Sequence, residues 1–416
     1  MHHKIKERKR KKLLKYMKKQ IIFIFLFIYC ASIHLLQGQS NSLFTADKEL
    51  SSSMINQVYA DKRGFIWVAT EYGLSKYNGS KFITYKHNRK DSTSLLDNYV
   101  RTLFEDSQHN LYVGTIKGLQ RYNYLTDQFT TIPILDSDHS VINAHIMSIV
   151  ECSDNSLLVS TSGAGLYRYY PEQNAIFTSN SIHLPSIFIN AVLETTDKSI
   201  WAATEGEGII QLSRNNIMKR LKLGNNHEYL SITSLCQDTI GNIYAGTIED
   251  GLFIYNSKEQ KFVPVKDPNL PHVPIRSLYL NNNKELYIGT DGYGLRIYDI
   301  IKKKFKTTSL TSSLFDLHNS KIHSITKDYH NNLWLGVFQK GVLLLPHSVS
   351  NFTYWGHGST HYNNIGENCI MAVYQDKEGS VWVGTDNDGI YVLDTQGNQK
   401  AHYTHDGSST SVPSTI

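Results

Sequence analysis

Cysteine is scarce in this chain, with four in 416 residues, one of them (Cys30) in a basic and apolar leader. The other three, Cys152, Cys236 and Cys369, are odd in number and irregularly spaced, which excludes a disulfide framework. They read instead as small buried residues. Proline is sparse too, at nine residues, and no Pro-rich or low-complexity linker interrupts the sequence. Beyond residue 40 no apolar run approaches the roughly 20 residues a membrane helix needs. There is no phospho-acceptor histidine box, no nucleotide-binding kinase glycine motif and no acidic receiver pocket, so the chain as written has no means of phosphoryl transfer. Positive charge is scarce in the folded part. The whole chain is +5, but residues 1–20 hold ten Lys or Arg against one Glu, a surplus of +9, which leaves the rest at −4. Nucleic-acid binding needs a basic footprint on the folded region, and none is expected here.

What the sequence does have is a repeat. A polar turn, an aromatic strand, Gly-Thr and Gly-Leu recur eight times, most clearly in Asp61–Leu74 and Asp376–Ile390. Aligned after the aromatic strand, the copies meet at Thr70, Thr115, Thr161, Thr204, Thr247, Thr290, Val337 and Thr385, at intervals of 43 to 48 residues. That period fits a propeller blade and is too long for leucine-rich or ankyrin units.

One copy shows why. Ile55–Ala60 alternates apolar and polar residues like a half-buried strand. Asp61 and Gly64 supply turn chemistry. Phe65–Ala69 is a short continuous apolar run, suited to a strand buried on both faces. Leu74–Tyr77 and Lys81–Tyr85 follow, separated by Asn78-Gly79, a tight hairpin signal. Four antiparallel strands on short turns make one blade. The second-strand aromatics Trp67, Tyr112, Trp201, Tyr244, Tyr287, Trp334 and Trp382 are read as packing between blades, with Leu158 the one departure. Gly73, Gly118, Gly165, Gly208, Gly251, Gly294, Gly341 and Gly389 are expected where φ is positive or a side chain would clash. Gly163-Ala-Gly165 and Gly292-Tyr-Gly294 look like phosphate loops, but no helix follows either.

The expected fold is all-β: a seven-bladed β-propeller of four-stranded antiparallel blades over residues 39–357, followed by the first blade of a second, truncated propeller over 358–416. A single eight-bladed ring is the alternative. Truncation is favoured because a lone extra blade leaves two apolar sheet edges unpaired, and Ser411–Ile416 reads as the opening of another inner strand. Residues 1–38 read as a secretory signal peptide: a basic start, the apolar Ile21–Ala31, and an exit through Ser32, His34 and Gly38. An uncleaved anchor is the alternative.

The repeat pattern at Ile55–Tyr77 and Ile370–Leu393 resembles the two-component regulator propeller repeat. That repeat builds the periplasmic sensor region of hybrid two-component histidine kinases of Bacteroidetes. Ser42–Met54 is also similar to the family's opening, except that Glu49 stands where Gly is usual. The resemblance implies a periplasmic module that senses glycan fragments and signals to polysaccharide-utilisation genes. It also implies a homodimeric receptor whose later parts, including a membrane helix, kinase and DNA-binding domain, are not in this chain. Contact with a membrane would then run through the leader or through those later parts alone.

Strand order places the Asp-x-x-Gly turns on one face and the turns after the second strands on the other. The second set varies most between copies, which marks a binding face on a rigid scaffold. Its candidate ligand residues are Glu71, Tyr72, Lys117, Glu205, Glu207, Glu249, Asp250, Asp291, Tyr293, Phe338, Gln339 and Lys340. Aromatic rings among carboxylates and amides suit a neutral or amino oligosaccharide, and the acidic bias disfavours a polyanion. Trp355 is read as an outer-strand packing residue or a sugar platform, and His357, His361 and Tyr362 as a solvated cluster. No cofactor and no metal is expected. The competing reading is a propeller enzyme. Glu205 and Asp291 could serve as opposed carboxylates for glycoside hydrolysis, but the Asp turns carry one residue too many for sialidase Asp-boxes. A secreted protein-interaction scaffold is the third reading.

Overall fold

The computed structural model describes residues 42–221, 223, 230–265, 273–306, 316–347, 365, 369–395, 398–405, 407–408 and 411. The leader, Trp355, the histidine cluster and the boundary at 357 lie outside them. Apart from one 3-10 turn at Thr178–Asn180, the described residues form strands and connections only.

Each repeat folds as one antiparallel sheet. Blade 1 consists of Ile55–Ala60, Ile66–Thr70, Gly73–Tyr77 and Phe82–Tyr85, paired in that order. The inner strands of the next six blades are Val100–Glu105, His145–Glu151, Ile189–Glu194, Ile232–Gln237, Ile275–Asn281 and Ile322–Lys327. Each packs on the next, and the seventh packs on the first. The closing contact is specific: the Val58 amide donates to Ser324 Oγ at 2.9 Å. Blade 7 takes its outermost strand from the other end of the sequence. Ser42–Phe44 pairs with Gly341–Leu345, and Phe44 stacks on Trp334 at 5.8 Å. Blade 3 is the least regular, with a two-residue outer strand (Ser181–Ile182) and a small extra sheet beside it.

The eighth sheet, Ile370–Gln375, Val381–Thr385, Ile390–Leu393 and Gln399–Tyr403, has the same internal order. Its inner strand differs in burial. Ile370 and Val373 are 44% and 64% exposed, whereas Ile55 and Val58 at the same repeat positions are 0% and 1% exposed.

Two local devices explain the repeated residues. The Thr of each Gly-Thr pair is buried and donates through Oγ1 to the carbonyl of the glycine after the turn, as in Thr70 to Gly73 (2.8 Å) and Thr290 to Gly294 (2.7 Å). It also accepts a turn amide, Tyr72 or Tyr293. Gly294 has φ +70°, and a Cβ there would sit 1.8 Å from the Leu317 carbonyl oxygen, so only glycine fits. The other seven third-strand glycines share a positive φ. Val337 lacks the hydroxyl, and its turn closes through the Lys340 amide to the Val337 carbonyl instead.

The second device joins the Asp turn to the aromatic. Asp61 Oδ1 accepts the Arg63 and Phe65 amides, and Oδ2 accepts Trp67 Nε1 at 2.7 Å and the Tyr124 hydroxyl of blade 2 at 2.8 Å. The same bond recurs where Tyr112 donates to Asp106, Tyr244 to Asp238, Trp334 to Asp328 and Trp382 to Asp376. Trp67, Tyr112, Trp201, Tyr244, Tyr287 and Trp334 are buried, while Trp382 in the eighth sheet is only half-buried. Cysteine departs from expectation. Cys152 is buried, its thiol pushed up to about 12 chiefly by desolvation, but Cys236 is half-buried and Cys369 is exposed.

Candidate functional site

The two faces of the ring have different tasks. On the Asp-turn face, the residue ending the inner strand of blades 2 to 5 accepts a turn amide of the preceding blade. Glu105 takes Lys62, Glu151 takes Ser107, Glu194 takes Ser153 and Gln237 takes Thr196, at 2.7 to 3.1 Å. That face is occupied in stitching blades together.

The opposite face is where the candidate residues lie. Backbone bonds draw the first residue of each variable turn to the residue just before the neighbouring inner strand. These run from Glu71 to Met54, Glu205 to Phe188, Asp291 to Pro274 and Phe338 to Lys321. The turns therefore flank the mouth that the inner strands surround.

The inner strands share a feature that alternation alone does not reveal. Each carries a β-bulge at its opening, skipping Asn56, Arg101, Met147, Asn190, Thr233, Arg276 and His323 in the ladder. A bulge re-aims the unpaired residue's side chain. Three of these side chains reach the next blade: Asn56 Nδ2 donates to the Val100 carbonyl (2.8 Å), Asn190 Nδ2 to Ile232 (3.0 Å) and Thr233 Oγ1 to Ile275 (2.7 Å). Arg101, Arg276 and His323 are bonded differently.

Arg276 donates from Nε and Nη2 to Asp291 Oδ2 at 3.1 and 2.8 Å. Asp291 Oδ1 lies 3.3 Å from Lys321 Nζ and 3.6 Å from His323 Nε2. Burial would raise the Asp291 pKa, but Arg276, His323 and Lys321 together hold it below the usual carboxylate range. His323 stacks on Phe338 at 4.5 Å and is pulled down to about 4, mainly by burial, with Arg276 and Arg101 reinforcing and Asp291 opposing. His145 packs edge-on against Tyr99 at 5.7 Å and is lowered by burial and by Arg101. The Nε2 atoms of His145 and His323 are buried without a hydrogen-bond partner among the described residues. Arg101 itself is disfavoured as a cation by burial and by Arg276, while Tyr99 and Glu71 favour its charge.

Of the candidate residues, Glu71, Asp291 and Phe338 belong to this mouth. Others lie elsewhere on the rim. Glu207 pairs with Arg220 of the outermost strand at 2.9 Å, and Lys117 pairs with Asp97 at 3.0 Å. Tyr72 is 64% exposed and faces Lys86, and Tyr293 is 41% exposed. Glu205, Glu249, Gln339 and Lys340 are exposed, and Asp250 is half-buried. Asp291 is bound by cations and ionised, so it is unsuited to act as a general acid. Two of the six acidic candidates, Glu207 and Asp291, are paired with cations in place. Tyr99, Arg101, His145, Arg276, Lys321 and His323 were not among the candidates. Their signal was a shared repeat position: Arg101, Arg276 and His323 each follow the first apolar residue of an inner strand.

This ring of four-stranded sheets around a polar axial mouth is a β-propeller. Three of its segments, residues 49–72, 94–117 and 364–387, match the family model of the two component regulator propeller. Histidine kinase P4 of Formosa agariphila is 27% identical over 381 residues, covering 84% of this chain and 27% of that protein. The extracellular domain of the hybrid two component system BT3049 from B. thetaiotaomicron superposes with a TM-score of 0.64 at 25% identity, covering 88% of this chain and 49% of that one. This chain thus spans about a quarter of the kinase and half of the extracellular domain. Virginiamycin B lyase from Staphylococcus aureus, at 10% identity, a TM-score of 0.56, and coverage of 75% of this chain and 99% of that one, shares the fold alone. The matched segments are propeller repeats and none is a kinase. No described helix is long and apolar enough to cross a membrane.

Proposed function

We propose that this chain is the exported, ligand-sensing propeller region of a hybrid two-component sensor histidine kinase. It recognises a glycan fragment and reports it to genes for polysaccharide use. The observation that carries this reading is that one end of the inner strands gathers polar and aromatic groups from different blades around an axial mouth. The extracellular placement of the neighbouring sensor domain and the basic-apolar leader support export to the periplasm. The chain itself does no chemistry. A ligand acts only through differential affinity for two receptor states, and the receptor works as a homodimer. Residues 39–357 form the sensing ring in this reading, and 358–416 open a second one.

The test is incubation of the exported chain with oligosaccharide libraries, followed by calorimetry and product analysis. Binding without conversion is expected. Release of shorter sugars or unsaturated ends would sink the sensor reading. Genomic sequence continuing past residue 416 into propeller, membrane and kinase segments is the second expected result.

A further inference from the structure

We infer that the axial mouth between Arg101 and Arg276 is a subsite for an oxyanion, a carboxylate or sulfate carried by the recognised sugar. This rests on the glycan reading above and deepens it, reversing the preference for a neutral ligand that the rim sequence suggested.

Arg101 and Arg276 occupy the same bulge position in blades 2 and 6, and Arg276 is near enough to disfavour the charge of Arg101. Arg276 has Asp291 as its carboxylate partner. Among the described residues Arg101 has no carboxylate within 4 Å, although it is half-buried at the mouth. Glu71 favours the Arg101 charge only from beyond ion-pair distance, and a guanidinium taken partly out of water without a directly bound carboxylate is costly. Its flat donor fork matches a carboxylate or sulfate in two-point contact. A bound anion would offset the repulsion between the two arginines, which a neutral hydroxyl would not. The bulges at Asn56, Asn190 and Thr233 turn their side chains to backbone carbonyls, so the mouth at this level is not lined by cations by default. His145 Nε2 and His323 Nε2 supply two further buried polar atoms beside the same charges.

The experiment is titration calorimetry on the exported chain at fixed ionic strength. Galacturonate is compared with galactose, and N-acetylglucosamine 6-sulfate with N-acetylglucosamine, so that the two sources of the anion are separated. At least one charged sugar should bind about tenfold tighter than its neutral parent. Arg101→Gln should remove that margin, and Arg214→Gln, an exposed basic residue away from the mouth, should keep it. Equal binding of charged and neutral sugars, or an unchanged margin in Arg101→Gln, overturns the inference. If Arg101→Gln fails to fold, Arg101→Lys takes its place: it keeps the charge, loses the fork, and should still bind the anion several-fold more weakly. Neutral oligosaccharides binding equally well to wild type and variant would leave the glycan reading standing and remove this subsite. Charged monosaccharides binding while no oligosaccharide does would have the reverse effect.

Discussion

A single carboxylate can hold a turn, an indole and a neighbouring blade, as Asp61 does. The exceptions show what happens when the pair is altered, and in blade 6 Asn281 stands at the Asp position and donates to Tyr287 instead. In blade 3 the acceptor and the polar aromatic are replaced together, by Cys152 and Leu158. In blade 4 only one is replaced: Thr195 stands at the Asp position, and Trp201 Nε1 is buried without an acceptor. An orphaned buried donor costs about 1–3 kcal/mol. Thr195→Asp, combined with Asp197→Asn to avoid adjacent carboxylates, should therefore raise stability by about 1–2 kcal/mol in urea unfolding. His323 gives a second prediction. Its folded pKa of about 4 lies below the ordinary 6.5, so its contribution is complete above pH 6.5 and falls as the pH drops towards 4. That loss should amount to about 2–3 kcal/mol, and His323→Gln should flatten the stability–pH slope across the window. Recurrence in sequence marked Asp61 and Trp67 as separate repeated residues. The bond between them was legible only in the joint loss at Cys152 and Leu158.

At the scale of strands, the regular blades were readable because their alternation and turn residues agree with each other. The boundaries of blade 1 differ from expectation by a residue: the second strand is Ile66–Thr70 rather than Phe65–Ala69. The bulges were not readable, because one extra residue looks like ordinary polar–apolar alternation within a single copy. The pairing of Ser42–Phe44 with blade 7, a clasp between the two ends of the ring, was also missed. Ser42–Phe44 is three residues long and too short to show a period, so nothing local announces that it completes blade 7. Phe44 stacks on Trp334 and contacts Tyr77 and Phe82 of blade 1 at 5.4 and 5.1 Å between ring centres. Phe44→Ala should cost about 2–4 kcal/mol, measurable as a lowered unfolding midpoint. A mid-blade aromatic substitution would unfold one sheet, whereas this one should weaken the seam between the first and seventh.

Along the inner strands, the carboxylates that accept neighbouring turn amides stand at one end and the polar mouth at the other. Glu151 accepts both the amide and the hydroxyl of Ser107, at 2.9 and 2.7 Å, on the stitched face. Glu151→Ala should lower stability by about 1 kcal/mol while leaving sugar affinity, measured by calorimetry, unchanged. An equal loss of affinity would contradict the separation. The candidate site was partly legible for this reason: variable turns showed which end to look at, and so found Glu71, Asp291 and Phe338. They could not show how far inward the site extends, because Arg101, Arg276 and His323 come from strands and meet only when the ring closes.

The clasp also sets an order of events. The chain is synthesised amino end first, yet Phe44 finds its partner only when Val342 has arrived. The leading strand must therefore stay unpaired, open to chaperones and proteases, while six sheets assemble behind it. Closure joins the most distant parts of the ring, and long loops make such late contacts slow. Maturation of this protein should be gated by that last zippering, with the axial mouth formed only once it is done.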